Sequence, residues 1–153
     1  MTSTSLALPS FDLNWASGFA DGEACIHIAK QTYQDLRRKT AYRLRMCIEQ
    51  NDLQVLEHFL RGMKALGVHG VIYSKKREIG QNRQVYRLNF DGKHALHAIE
   101  AMFPFLVRKR AEAMAALAFW TQGEAGRRFG AGGLPKHIAL IREKLYWKLR
   151  SLK

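Results

Sequence analysis

Apolar positions recur along this chain with two different periods, and each change of period marks an element. From Phe11 to Ala20 the spacing is helical. At about 100° per residue, Phe11, Trp15 and Phe19 form a bulky strip, while Leu13, Ala16, Ser17 and Ala20 form a mostly small strip opposite. Ser10 is placed to cap this helix. One face suits the chain's own core, and the small face would let a second helix approach closely. The alternative is a helix covered on both faces by its own domain.

From Glu23 to Gln31 the period falls to two. Ile26, Ile28 and the stem of Lys30 point one way, with Cys25, His27, Ala29 and Gln31 on the other side. A second half-buried strand, AYRLRMCIEQ (41–50), turns Tyr42, Leu44, Met46 and Ile48 inward and Arg43, Arg45, Cys47 and Glu49 outward. Asn51 and Gln54 fit a capping box opening a helix that carries Leu53, Leu56, Phe59, Leu60, Met63 and Leu66 as far as Gly67. HGVIYSKKREIGQNRQVYRLNF then predicts two strands around a turn rich in Gly, Gln and Asn. In the second of them Tyr86, Leu88 and Phe90 alternate with Val85, Arg87 and Asn89.

Asp91 opens a short helix to about Met102, and Pro104 suits the first turn of another that continues to about Thr121. After the glycine-rich QGEAGRRFGAGGLP comes a last amphipathic helix with Ile138, Ile141, Leu145, Leu149 and Leu152. A hairpin followed by a helix thus occurs twice. The expected class is α+β, an αββαββα core with a four-stranded antiparallel saddle sheet, helices on its other face and extra C-terminal helices. Residues 1–153 make a single domain, with the core at about 10–121 and a helical extension at about 134–152.

Charge gives the sheet a purpose. Lys and Arg number 25 against 13 Asp and Glu, a net charge of +12 spread over the whole domain. That imbalance points to a polyanionic partner, nucleic acid before a membrane surface. The outward strand positions hold Arg43, Arg45, Lys75, Arg77 and Arg87. A ten-residue strand spans about 33 Å, and two-stranded ribbons enter the major groove, so this face reads as a DNA saddle rather than a merely solvated sheet.

Several classes fall away. Cys25 and Cys47 are too few for a disulfide framework or an all-cysteine zinc site, so reduced thiols and an intracellular location are expected, with mitochondrion, chloroplast and bacterial cytoplasm not separated. No apolar run nears the roughly 18 residues of a membrane span, and MTSTSLALPS has neither the basic start nor the long apolar centre of a signal peptide. GAGGLP lacks a preceding strand and a Walker lysine, His94 and His97 lack a strong third ligand, and no nucleophile elbow is present. Neither a membrane nor a small-molecule substrate is expected.

The remaining feature is WASGFADGEACI (15–26), which sets Asp21 and Glu23 among glycines and alanines of a basic protein. Its core, ASGFADGEA (16–24), resembles the signature of the LAGLIDADG homing endonucleases in their single-motif, homodimeric form. The match is at Gly18 and Asp21, with Glu23 replacing an acid, Ala16 and Ala20 at aliphatic positions and Ala24 at the final glycine. The element order matches that family's core as well.

The resemblance implies two motif helices packed side by side across a two-fold axis, with Leu13, Ala16, Ser17, Ala20 and Asp21 at the dimer interface. It implies Glu23 and the Gly22 carbonyl as metal ligands, Asp21 ordering the turn, Gln50 positioning water, and Lys109 near the scissile phosphate with Arg108 or Arg110 as substitutes. Gln54 stands where the family places a further basic residue. Two carboxylates at helix C-termini repel each other and the dipole, and a divalent cation resolves the conflict. Mg²⁺ suits the hard oxygens, with Mn²⁺ or Ca²⁺ substituting for binding.

DNA contacts would come from His27, Ala29, Gln31, Tyr33, Arg43, Arg45, Tyr73, Lys75, Arg77, Arg83, Val85 and Arg87. The implied activity is site-specific double-strand cleavage of a long pseudo-palindromic site, leaving short 3′ overhangs, in intron homing. The competing class is a non-cleaving nucleic-acid binder of the same fold, an RNA maturase or a DNA-binding regulator. Glu23 argues for the enzyme, because a binder has no need of an acid facing phosphate.

Overall fold

The strands' period-two alternation becomes one antiparallel sheet in the order β1-β2-β4-β3. The computed structural model describes residues 7–32 and 40–153. In chain order these form α1 (Leu13–Glu23), β1 (Ala24–Gln31), β2 (Ala41–Gln50), α2 (Leu53–Ala65), β3 (Val71–Ser74), β4 (Tyr86–Asp91), α3 (Lys93–Met102), a 3₁₀ turn (Phe103–Phe105), α4 (Arg110–Thr121) and α5 (Lys136–Ser151). The α+β architecture, with helices over one face of the sheet, is the one the sequence predicts.

Register fixes the faces. Ile26 lies opposite Met46, Met46 opposite Phe90, and Ile48 opposite both Ala24 and Leu88, so the large apolar residues of three strands share the covered side. Leu44, Met46, Ile48, Leu88 and Phe90 are fully buried there, with Leu56, Phe59 and Met63 of α2 and Ile99 of α3. Phe11, Trp15 and Phe19 meet α2, where the rings of Trp15 and Phe19 stack at 5.4 Å and both lie beside Phe59.

Gly62 on α2 has no side chain because the Phe11 ring occupies that space: a Cβ there would fall 1.9 Å from Phe11 Cδ2. Gly62→Ala should displace the ring and cost about 1–3 kcal/mol, despite alanine's better helix propensity. Chemical denaturation would show this as a lower midpoint at an unchanged slope.

Several boundaries differ from expectation. Asp12, not Ser10, caps α1, accepting from the Asn14 N–H at 2.8 Å, and Asp52, not Asn51, caps α2, accepting from Gln54 and Val55 N–H at 2.9 and 3.4 Å. A carboxylate also complements the positive end of the dipole, which an amide or hydroxyl does not. Asp91 does not cap α3: its carboxylate is held by Arg45 at 2.6 Å, and Gly92, at φ 58°, makes the turn. The helix expected from Pro104 to Thr121 is two pieces, with residues 106–109 between them non-helical. Those residues serve the site described below.

Helix α5 packs against β1 and α4. Glu143 anchors it, accepting from Lys30 Nζ and Trp147 Nε1 at 2.8 and 2.9 Å and from the Tyr42 hydroxyl. The Lys30 ammonium, with these other donors, pulls its carboxyl down to about 2. Arg142 is buried and donates to the Gly123 and Glu124 carbonyls at 2.7 and 2.9 Å, closing the end of α4 onto α5. Among the described residues no helix is long and apolar enough to cross a membrane.

Candidate functional site

The last residue of α1 is Glu23, and the chain enters β1 at the next residue. Ala24 N–H makes the last helical bond, to the Ala20 carbonyl, so the Gly22 carbonyl stands beyond the helix's own bonding. Register places Ala24 opposite Ile48, so Gln50, which ends β2, comes alongside the helix terminus. Its Nε2 donates to Glu23 Oε2 at 3.1 Å. An exposed carboxylate and a side-chain amide thus meet at the helix end, one residue after the Gly22 carbonyl.

Asp21 has another task. Its carboxylate accepts from the backbone N–H groups of Val107, Arg108 and Lys109 at 3.1, 2.9 and 2.8 Å. This explains the break before α4, since those N–H groups point at Asp21. Partial burial works against ionisation, but the three donors outweigh it and hold the Asp21 carboxyl below its ordinary value. Asp21→Ala leaves three donors to water and should cost about 1–3 kcal/mol. Because the folded-state pKa is depressed, Asp21's contribution is complete above the ordinary carboxylate value of about 3.9 and is lost as pH falls through the lower folded value. The gap in denaturation midpoint between wild type and variant should therefore narrow from pH 6 to pH 3.

Lys109 is brought beside the motif by its backbone, but its ammonium turns to Glu112 Oε1 at 3.8 Å, with both side chains largely buried. Arg110 donates to the Phe103 carbonyl and lies 4.3 Å over the Phe103 ring. Arg108 is exposed. Gln54 is exposed in the first turn of α2.

The outer sheet face collects the expected contact residues. His27 lies opposite Arg45, Ala29 opposite Arg43, Gln31 opposite Ala41, and Tyr73 opposite Arg87. Lys75 and Val85 prolong the β3–β4 ladder through a 2.9 Å bond, whereas Arg77 and Arg83 lie in the connection beyond it. Tyr33 lies outside the described residues. The face is less basic than its sequence suggests. Glu49 accepts from Arg87 Nε at 2.6 Å and from Lys75 at 3.3 Å, and Asp91 holds Arg45. Partial burial opposes ionisation of Glu49, but Arg87 and Lys75 prevail and keep its carboxyl below the usual range.

The expected interface strip needs correction. Ala16, Ser17 and Ala20 are 0, 0 and 2% exposed within the single chain, so they pack the chain's own core, and Leu13 packs at its margin. A second copy cannot reach them. The exposed small positions are Gly18 and Gly22, one turn apart, where an added Cβ would meet nothing within 4 Å.

Sequence reasoning also missed the end of α5. An open groove of about 840 Å³ runs from Glu23 along the outer face past His27 and Arg87, and Tyr146, Arg150 and Lys153 line its far side. The signal was the basic last turn of α5, with Lys148 and Arg150.

The site thus combines a helix ending in an acid with a four-stranded antiparallel sheet whose outer face is partly basic. The model of the LAGLIDADG endonucleases matches residues 16–108. The chain belongs to that family. Its fold resembles the archaeal intron-encoded homing endonuclease I-Vdi141I, solved in complex with DNA, at TM-score 0.69 and 17% identity over 92% of this chain and 83% of that one. It resembles I-CvuI, solved with its target in the presence of Ca²⁺, at 0.61 and 22% identity over 92% and 81%. The I-LtrWI endonuclease, bound to target DNA, matches at 0.66 and 15% identity over 97% of this chain but 47% of its own. No curated protein sequence matches the chain.

Proposed function

We propose that the protein is a homodimeric, Mg²⁺-dependent, site-specific double-strand DNA endonuclease of the intron-homing type, leaving short 3′ overhangs. The observation that carries this reading is the Glu23–Gln50 pair at the end of a helix whose open side holds Gly18 and Gly22. Two such helices side by side bring two Glu23 carboxylates to one axis. That the chain covers 83% of the DNA-bound I-Vdi141I but 47% of I-LtrWI supports a site built from two copies.

The donor chemistry fits the metal. Glu23 and the Gly22 carbonyl are hard oxygens at an exposed helix end, with room for water and phosphate, as Mg²⁺ requires. When bound, the cation neutralises charge at the phosphate and acidifies water. The chain's own groups do the rest. Gln50 gives one N–H to Glu23, fixing that carboxylate, and its carbonyl oxygen can accept from a water and aim it. Arg150 and Lys153 add positive charge on the groove's far side, and Arg43 adds it on the sheet. Pairing with Glu49 and Asp91 holds Arg87 and Arg45 in fixed poses, which favours bidentate readout of guanine over loose phosphate contact.

The test is incubation of the reduced protein with a library of duplex targets and Mg²⁺. Paired cuts across the minor groove, leaving short 3′ overhangs, at one long, nearly two-fold sequence are expected. Tight specific binding with no cutting would overturn the nuclease and favour a binding protein of the same fold.

A further inference from the structure

Beside the oxygen site lies a second donor cluster of different chemistry. Cys25 and His27 are two apart on β1, so the pleat turns both to the outer face, and register sets Cys47 of β2 directly opposite Cys25. Cys25 Sγ, Cys47 Sγ and a His27 ring nitrogen all lie within 4.8 Å of one another, and Cys25 Sγ is 3.7 Å from His27 Nδ1. Among the described residues it is the one such group of three. We propose that Cys25, His27 and Cys47 bind a thiophilic divalent cation, Zn²⁺ above all, through two sulfurs and one nitrogen, with the fourth position open to the groove.

Geometry supports that donor set. Zn–S and Zn–N lengths of about 2.3 and 2.0–2.1 Å at tetrahedral angles put sulfur about 3.6 Å from nitrogen and the two sulfurs about 3.8 Å apart. The Cys25–His27 distance already comes close to the first value, and the remaining pairs need to close by no more than about 1.2 Å. The donors sit on two hydrogen-bonded strands, so little backbone ordering accompanies binding. Lys153 Nζ lies 2.8 Å from Cys25 Sγ and is placed to donate to a metal-bound thiolate.

Softness separates the two sites. Thiolate and imidazole select zinc over magnesium, and the Glu23 carboxylate with a carbonyl does the reverse. Binding converts the thiols to thiolates and releases their protons to solvent, so no oxidant or reductant takes part. Loading also narrows what His27 can read, because with Nδ1 on the metal only the Nε2–H donor remains for a base acceptor.

The experiment is titration of the full, reduced chain with Co²⁺, read by thiolate-to-cobalt charge transfer in the near ultraviolet and by tetrahedral bands in the visible, followed by displacement with Zn²⁺. One equivalent per chain is expected. Cys25→Ser and Cys47→Ser should each weaken binding by at least about 100-fold, and His27→Ala by at least about 10-fold, with circular dichroism confirming that each variant is folded. Glu23→Gln should bind as wild type, which separates this result from the fate of the nuclease reading. Absence of a thiolate band in the folded wild type would overturn the proposal. So would a band unchanged in both serine variants, or a Cys25–Cys47 disulfide that persists under reductant and excludes the metal.

Discussion

Glu23→Gln should abolish DNA cleavage while leaving DNA binding intact or tighter. Glu23 is exposed and meets Gln50 through a single 3.1 Å hydrogen bond, so an isosteric amide removes charge without opening the core. The fold should hold within about 0.5 kcal/mol, the usual range for surface substitutions. Cleavage should fall by at least about 10²–10³-fold, the scale seen when one preorganised charge-stabilising group is lost. Binding moves the other way, because a dimer sheds two negative charges that face phosphate, and the gain should shrink as salt rises. The measurements are gel shift in Ca²⁺ and single-turnover cleavage in Mg²⁺. Equal loss of both would mark Glu23 as a structural residue and remove the basis for the enzyme.

How far the sequence reaches is visible residue by residue. The strands were legible because Ile26–Ile28 and Leu44–Met46–Ile48 alternate strictly, and a slip of one residue would expose them all. Glu23 and Gln50 were picked out through the family resemblance, and their contact comes from the helix end together with the register of β1 on β2. Other features depend on contacts between distant segments. The break at residues 106–109 comes from Asp21, more than eighty positions away, accepting the N–H groups of Val107, Arg108 and Lys109. Arg87 and Lys75 meet Glu49 because β4 lies beside β2 and carries β3 on its other edge, an order that alternation does not encode.

The motif helix shows the same limit more sharply. Its small residues fall into two groups, but composition alone cannot tell a small residue packed by its own domain from one packed by a copy. Ala16, Ser17 and Ala20 belong to the first group, since α1 lies over β1, β2 and α3. Gly18 and Gly22 belong to an outer sector between Asn14 and the aromatic strip. Asp21 borders that sector, but its carboxylate is engaged within the chain.

That division makes Gly18→Leu the sharpest test of the dimer. Within one chain a Cβ at Gly18 meets nothing within 4 Å, so leucine has room, and it favours the helix over glycine by roughly 0.5–1 kcal/mol. The isolated chain should be as stable as wild type or more so. In a two-fold interface the same change enters twice, and each leucine forces apart backbones that glycine lets approach. Overpacking of about 1–3 kcal/mol per copy sums to about 2–6 kcal/mol, which raises the dimer dissociation constant by roughly 30-fold to 10⁴-fold. Sedimentation should show a folded monomer where wild type is dimeric, and paired cutting should vanish because two Glu23 carboxylates no longer share an axis. Leucine at Ala16 should behave oppositely: with 0% exposure there it overpacks the core and lowers the denaturation midpoint before dimerisation is at issue. A Gly18→Leu chain that remains dimeric and cuts both strands would place the subunit contact on another surface and refute the paired-helix arrangement.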